Sequence, residues 1–172
     1  VPGPLVLDVG AGTGAAALAD APGRLVVGLD RSGAALRRAA ASAPGPGHPP
    51  PLVRADARAL PVRAGALDGA TAHSVLYLVP DPAGVLAELG RAVRPGGRVA
   101  LLEPRRGAAP LAPAWRRGAR FAASMVLWRA MSRLHRRFEA GELAALLEAA
   151  GFREVRVEPA LDGFALVASA TR

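Results

Sequence analysis

Cysteine is absent from the 172 residues. That excludes a disulfide frame, a thiolate zinc site and a cysteine nucleophile. Lysine is absent as well, so all 22 basic residues are arginine, a bias attributed to codon usage rather than to function. Long apolar runs are missing too. The longest charge-free one lies near Ala70 to Pro80, short of the roughly 18 residues of a membrane span. No signal or transit peptide pattern is visible, and the expectation is a cytoplasmic protein. The hydrophobic fraction of 51% is inflated by alanine and carries little information. The length suits one domain, 1–172, with a sizeable core.

Acidic residues are missing from one segment in particular. Between Arg105 and Arg137 there are nine arginines and no Asp or Glu. The rest of the chain holds 13 arginines against 14 acids. The net charge of +8 is therefore the property of one segment.

What is present is a glycine turn. Leu7-Asp8-Val9-Gly10-Ala11-Gly12-Thr13-Gly14 follows an apolar run and leads into a helix-compatible stretch over 13–20. This is the pattern of a buried strand, a tight turn and a helix start. Glycines permit φ > 0 and let a ligand lie against bare backbone. The helix start turns free N–H groups toward that ligand. Two kinds of domain use such a turn. Dinucleotide-binding folds want G-x-G-x-x-A, which Gly10, Gly12 and Ala15 satisfy. S-adenosylmethionine (SAM) sites want a strand acid followed by G-x-G-x-G, which Asp8, Gly10, Gly12 and Gly14 satisfy. The turn alone does not decide between them.

The rest of the chain alternates strands and helices. Strands are expected at 5–9, 25–29, 52–54, 69–75 and 98–102. Helices are expected at 33–42, with Ser32 as N-cap, and at 82–93, with Pro82 in the first turn. The proline-rich 43–51 is a surface loop. After the basic segment, a helix at 140–150 ends at Gly151. Residues 154–158 and 164–170 form an antiparallel pair. Alternation at this spacing means a doubly wound, mostly parallel sheet.

Six stretches in this order resemble the class I SAM-dependent methyltransferases, in the small-molecule branch that includes quinone methyltransferases. They are the glycine turn, Gly28 to Ser32, Ala55 to Ala57 with Leu60-Pro61, Leu67-Asp68 through Asp81, Arg94 to Arg98, and Ala149 to Phe152. The likeness runs from about Leu5 to the C-terminus. It implies a Rossmann-like seven-stranded sheet ending in an antiparallel pair, with a lid-like helical insertion at 105–138. It also implies SAM as cofactor. Asp30 would then accept hydrogen bonds from the ribose diol, since a carboxylate offers two oxygens. Asp56 would meet the adenine amino group, with the Ala57 N–H on a ring nitrogen. Asp8 would organise the turn or meet the methionine amino group. Gly10, Ala11, Gly12 and Gly14 would pack against the cofactor, and Arg31 would lie over the adenosine.

On the acceptor side, the resemblance puts His73 at the cofactor and acceptor cleft. His73 is the first candidate for a general base, with His135 behind it. Tyr77 is the residue that would orient an acceptor, packing being the plainer alternative. No metal is implied. A covalent route to pyrimidine C5 is excluded by the lack of cysteine. The Asp/Asn-Pro-Pro-aromatic signature of adenine methylation is replaced by His73-Ser74-Val75-Leu76. The expected acceptor is a small molecule, hydrophobic or lipid-like. RNA methylation, a non-catalytic SAM- or RNA-binding module and an NAD-dependent oxidoreductase are the alternatives.

The basic segment is expected to form two short helices, or one broken near Gly118 to Ser124. Leu127, Trp128, Met131, Leu134 and Phe138 would share an apolar face. Three readings compete for the segment: a lid with a solvated arginine face, an interfacial helix at a lipid-like acceptor, and a contact with nucleic acid. Relatives carry helices before the first strand. Here that strand begins at Leu5, so the expectation is a more open cleft, a cover from another chain, or a truncated sequence.

Overall fold

The computed structural model describes residues 4–14, 23–42, 51–107 and 110–172. Its strands are β1 (Leu5–Val9), β2 (Leu25–Asp30), β3 (Leu52–Arg54), β4 (Leu67–His73), β5 (Val93–Pro104), β6 (Arg153–Ala160) and β7 (Ala165–Thr171). The helices are α1 (Gly33–Ala41), α2 (Pro82–Ala92), α3 (Leu111–Arg116), α4 (Ala119–Ser132) and α5 (Ala140–Ala149). One sheet holds all seven strands in the order β3-β2-β1-β4-β5-β7-β6. The first five are mutually parallel, and β7 runs antiparallel to both β5 and β6. This is the Rossmann-like fold with its antiparallel end, as expected. The helix expected at 13–20 and the loop at 43–51 lie almost wholly outside the described residues.

The parallel strands are buried because they are apolar on both faces. Leu7, Val9, Leu29, Ala72 and Leu101 are essentially inaccessible. Helix α2 lays Val85, Leu86, Leu89 and Ala92 onto the sheet, the spacing of one helical face. Its start is fixed by Asp81, whose carboxylate accepts from the Gly84 N–H at 2.9 Å, and by Pro82 at the first position. Ser32 caps α1 in the same way, accepting from the Ala35 N–H at 3.2 Å.

Strands β4 and β5 show the most informative differences from expectation. Strand β4 starts at Leu67 and stops at His73, because Ser74 turns into the left-handed region at φ 58°. Strand β5 begins at Val93, before the Arg94 to Gly97 turn. Val93 pairs with Leu67, and pairing resumes at Gly69 with Arg98, so the turn is a bulge inside the ladder. Asp68 holds this bulge. It accepts from the Arg94 guanidinium at 2.8 Å and from the Leu5 N–H at 2.7 Å.

The insertion breaks where glycine allows it. Gly118, at φ 112°, separates α3 from α4. Of the expected apolar face only Trp128 and Phe138 pack. Phe121, Met125 and Trp128 lie against a small cluster of Ala114, Ala122 and Phe164. Leu127, Met131 and Leu134 face solvent. Phe138 is beyond the helix and joins the main core. Packing against Phe164 and Leu161 selects the face, and helical periodicity alone does not. Among the described residues no helix is long and apolar enough to cross a membrane.

Candidate active site

The order of strands reverses at β1, with β2 on one side and β4 on the other. Ligands of open α/β sheets bind at such a switch point, beyond the C-terminal ends of the strands. A cleft of about 470 Å³ lies there, lined by the glycine turn, the ends of β2 and β3, and the segment after β4. Its size falls in the roughly 300–1,000 Å³ range of small-molecule sites.

The glycine turn forms the floor. Gly10 sits at φ 69° and Gly12 at φ 56°. A Cβ at Gly10 would strike the Val75 side chain, so the turn and the wall after β4 touch through a missing side chain. A Cβ at Gly12 would meet only the Gly10 carbonyl oxygen, at 3.7 Å. A side chain there would occupy the cleft. Gly14, at φ 85°, closes the turn by donating to the Ala11 carbonyl at 2.7 Å. Ala11 in turn donates to the Leu29 carbonyl at 2.9 Å, tying the turn to β2.

Asp30 ends β2 and lines the cleft. Its two oxygens accept from the Gly12 N–H at 2.9 Å and the Ser32 N–H at 2.8 Å. Each carboxylate oxygen has a second lone-pair site, which leaves capacity for a diol. Arg31 is exposed at the rim. Asp56 and Ala57, just past β3, line the cleft next to Asp30. Asp56 is gripped by Arg58, whose guanidinium lies at 2.7 Å and whose N–H donates at 2.9 Å. The Arg58 hydrogen bonds hold its carboxyl down at about 2.

Asp8 is buried beneath the turn and accepts from the Thr71 hydroxyl on β4 at 2.8 Å. His73 is exposed at the end of β4. Neither belongs to the cleft lining. Tyr77 sits in the short 3-10 turn Leu76–Leu78, close to Val75 and Leu78, which do line the cleft. The Tyr77 ring meets His135 edge-on at 5.7 Å, and the Trp128 side chain interacts with its hydroxyl. The insertion therefore reaches the turn after β4. Burial pushes the Tyr77 phenol above its ordinary value, with the Glu103 charge adding to the shift. It stays protonated near neutral pH.

Sequence reasoning missed Glu103. It is fully buried at the end of β5. Its Oε1 accepts from the N–H groups of Val75 at 3.0 Å and Leu76 at 2.8 Å, and its Oε2 from Tyr77 at 3.2 Å. It holds the wall of the cleft from below. Burial pushes its carboxyl up to about 7, against the pull of the three N–H bonds. The signal that picked out Asp30 and Asp56, an acid at the C-terminal end of a strand, was present here as Leu102-Glu103-Pro104. Arg58 carried no comparable signal.

The residues fit the cofactor that the motifs imply. A bare glycine floor admits a flat ligand, and Asp30 and Asp56, at and just beyond the ends of the paired strands β2 and β3, offer carboxylate oxygens to hydroxyl and amino donors.

The profile of a family described as methyltransferase domain matches residues 7–101. A nocamycin O-methyltransferase of Saccharothrix syringae is 40% identical over 108 residues, covering 60% of this chain and 39% of its own length. An uncharacterised 37.1 kDa protein of transposon TN4556 from Streptomyces fradiae is 37% identical over 110 residues, covering 60% of this chain and 31% of its own. The chain thus spans only a third or so of the curated relatives it matches. Among solved structures, an S-adenosylmethionine-dependent methyltransferase from Mesorhizobium loti aligns with a TM-score of 0.73 at 25% identity, over 100% of this chain and 92% of that one. With the glycine turn, the strand-end acids and the antiparallel end of the sheet in place, the match over more than half its length shows that the chain belongs to the class I SAM-dependent methyltransferases.

Proposed function

We propose that this chain transfers a methyl group from SAM to an oxygen of a hydrophobic small molecule. The observation that carries the reading is the cleft itself, in which a glycine floor, Asp30 and Asp56 converge beside the Tyr77, Trp128 and His135 corner. The relative from Saccharothrix is an O-methyltransferase, which supports oxygen as the accepting atom.

When bound, SAM supplies an activated methyl on a cationic sulfur that leaves neutral. The work left to the chain is alignment and exclusion of water. Asp30 takes the two ribose hydroxyls, keeping its bond to Gly12. Asp56 takes the adenine amino group, with the Ala57 N–H beside it. Arg31 covers the adenosine from the rim. Asp8, held by Thr71, keeps the turn in register. Gly10, Ala11, Gly12 and Gly14 present backbone rather than side chains.

Tyr77 is protonated and donates to the acceptor oxygen, fixing its direction. An acceptor hydroxyl must lose its proton as the new bond forms. His135 is the better-placed base, because it packs on Tyr77. His73 shares that end of the sheet and is the second candidate.

The reading is tested by calorimetric titration of S-adenosylhomocysteine, and separately of NADH, into the wild type and Asp30→Ala. Two charge-assisted hydrogen bonds are at stake, so Asp30→Ala should weaken binding by about 10- to 100-fold. Tight NADH binding without a homocysteine signal would overturn the cofactor. Methyl transfer to a panel of phenols and quinols, lost in His135→Ala more than in His73→Ala, then tests the acceptor side.

A further inference from the structure

Helix α4 carries apolar side chains on two sides, and the fold buries only one of them. Phe121, Met125 and Trp128 pack inward on the Phe164 cluster. On another side Leu127 is 63% exposed and Met131 56%, and Leu134, just past the end of α4, is 83% exposed. Leu127 and Met131 stand one turn apart on a common face, and Arg120 lies on that face two turns before Leu127. Trp115 on α3 is 58% exposed.

The charge around these residues has one sign. Arg116, Arg120 and Arg133 are exposed, and among the described residues none has an acidic partner. The neighbouring Arg106, Arg117 and Arg136 do pair, with Glu139, Glu142 and Asp162. No acid lies anywhere between Arg105 and Arg137.

We propose that α3 and α4 dock on an anionic lipid surface, with Leu127, Met131 and Leu134 entering the interface and Arg116, Arg120 and Arg133 meeting the headgroups. Long aliphatic side chains flanked by unpaired arginines match a surface that is apolar below and anionic above. A second copy of the chain does not match. A two-fold contact sets a patch against itself, and here arginine would face arginine. Nucleic acid matches the charge but offers the leucines and methionine no apolar partner. The docking is independent of methyl transfer and of the cofactor.

Both tryptophans of the chain, Trp115 and Trp128, lie in this segment. Intrinsic fluorescence therefore reports on it directly. The 172-residue chain is titrated with vesicles of phosphatidylcholine alone, and of phosphatidylcholine with about one third phosphatidylglycerol. Expected are co-sedimentation and a blue shift with the anionic vesicles only, weakened by salt. Leu127→Gln should lower the partition coefficient about tenfold, and Arg120→Gln about fivefold. Both positions are exposed, so homocysteine binding should stay at the wild-type level and certify the fold. The proposal is overturned if the anionic vesicles are not bound. It is equally overturned if Leu127→Gln binds them as well as wild type, since charge alone then suffices. Binding of single- or double-stranded RNA that outcompetes the vesicles would also overturn it, as would a dimer that covers Leu127 and Met131.

Discussion

Glu103→Gln isolates one buried ionisation. In the wild type, the folded-state carboxyl titrates at about 7 and the ordinary value is 4.5. Between those values the folded chain holds a proton that the unfolded chain has released. Stability from this group is therefore fully present below about 4.5 and is lost as pH rises through about 7. Each pH unit is worth at most about 1.4 kcal/mol, so the whole window is worth about 3 kcal/mol. Glutamine has nearly the same shape and no proton to exchange. Its carbonyl oxygen can keep the bonds from Val75 and Leu76. Its amide nitrogen then faces the Tyr77 N–H donor, a conflict that costs about 1–3 kcal/mol at every pH.

The difference between the two proteins is thus a constant plus a pH-dependent part. Urea unfolding of both, from about pH 4 to about pH 8, reads the second part. Relative to Glu103→Gln, the wild type should lose about 3 kcal/mol across that range. In melting temperature this is about 6–12 °C, taking about 2–4 °C per kcal/mol for a chain of this size. Parallel pH profiles would refute the reasoning, because they would mean that Glu103 exchanges no proton on folding.

Gly10→Ala should destabilise the fold by about 2–4 kcal/mol, combining a left-handed backbone with overpacking against Val75, and should weaken homocysteine binding in the same calorimeter; a soluble variant with wild-type stability and affinity would contradict the close approach. Arg58→Ala should return the Asp56 carboxyl from about 2 toward its ordinary 3.8, readable by NMR titration. The stability that Asp56 contributes is present above about 3.8 and lost as pH falls through about 2, so the variant should lack that acid-side loss. An Asp56 titration unmoved by the change would show that Arg58 does not hold it.

The local features were legible in the chain. Short apolar runs bounded by turn residues marked the strands to within a few residues. Asp30 was identifiable as the acid closing β2, and Gly118 lies in the stretch where the insertion was expected to break. These depend on neighbours in sequence: periodicity, turn chemistry and the conformations open to glycine. Contacts between distant residues were not legible. Glu103 reaches back to Val75, Leu76 and Tyr77 only because β5 pairs with β4. Tyr77 meets Trp128 and His135 only because the insertion folds over the end of the sheet. Leu127 and Met131 fall on the expected apolar face, yet they face outward because Phe164 and Leu161 pack against the side that carries Phe121, Met125 and Trp128. Which of two apolar faces is buried depends on what lies across from it. The sequence by itself determined the elements, the glycine turn and the strand-end acid Asp30. Only the tertiary structure decided which side chains meet, because those contacts join residues far apart in the chain.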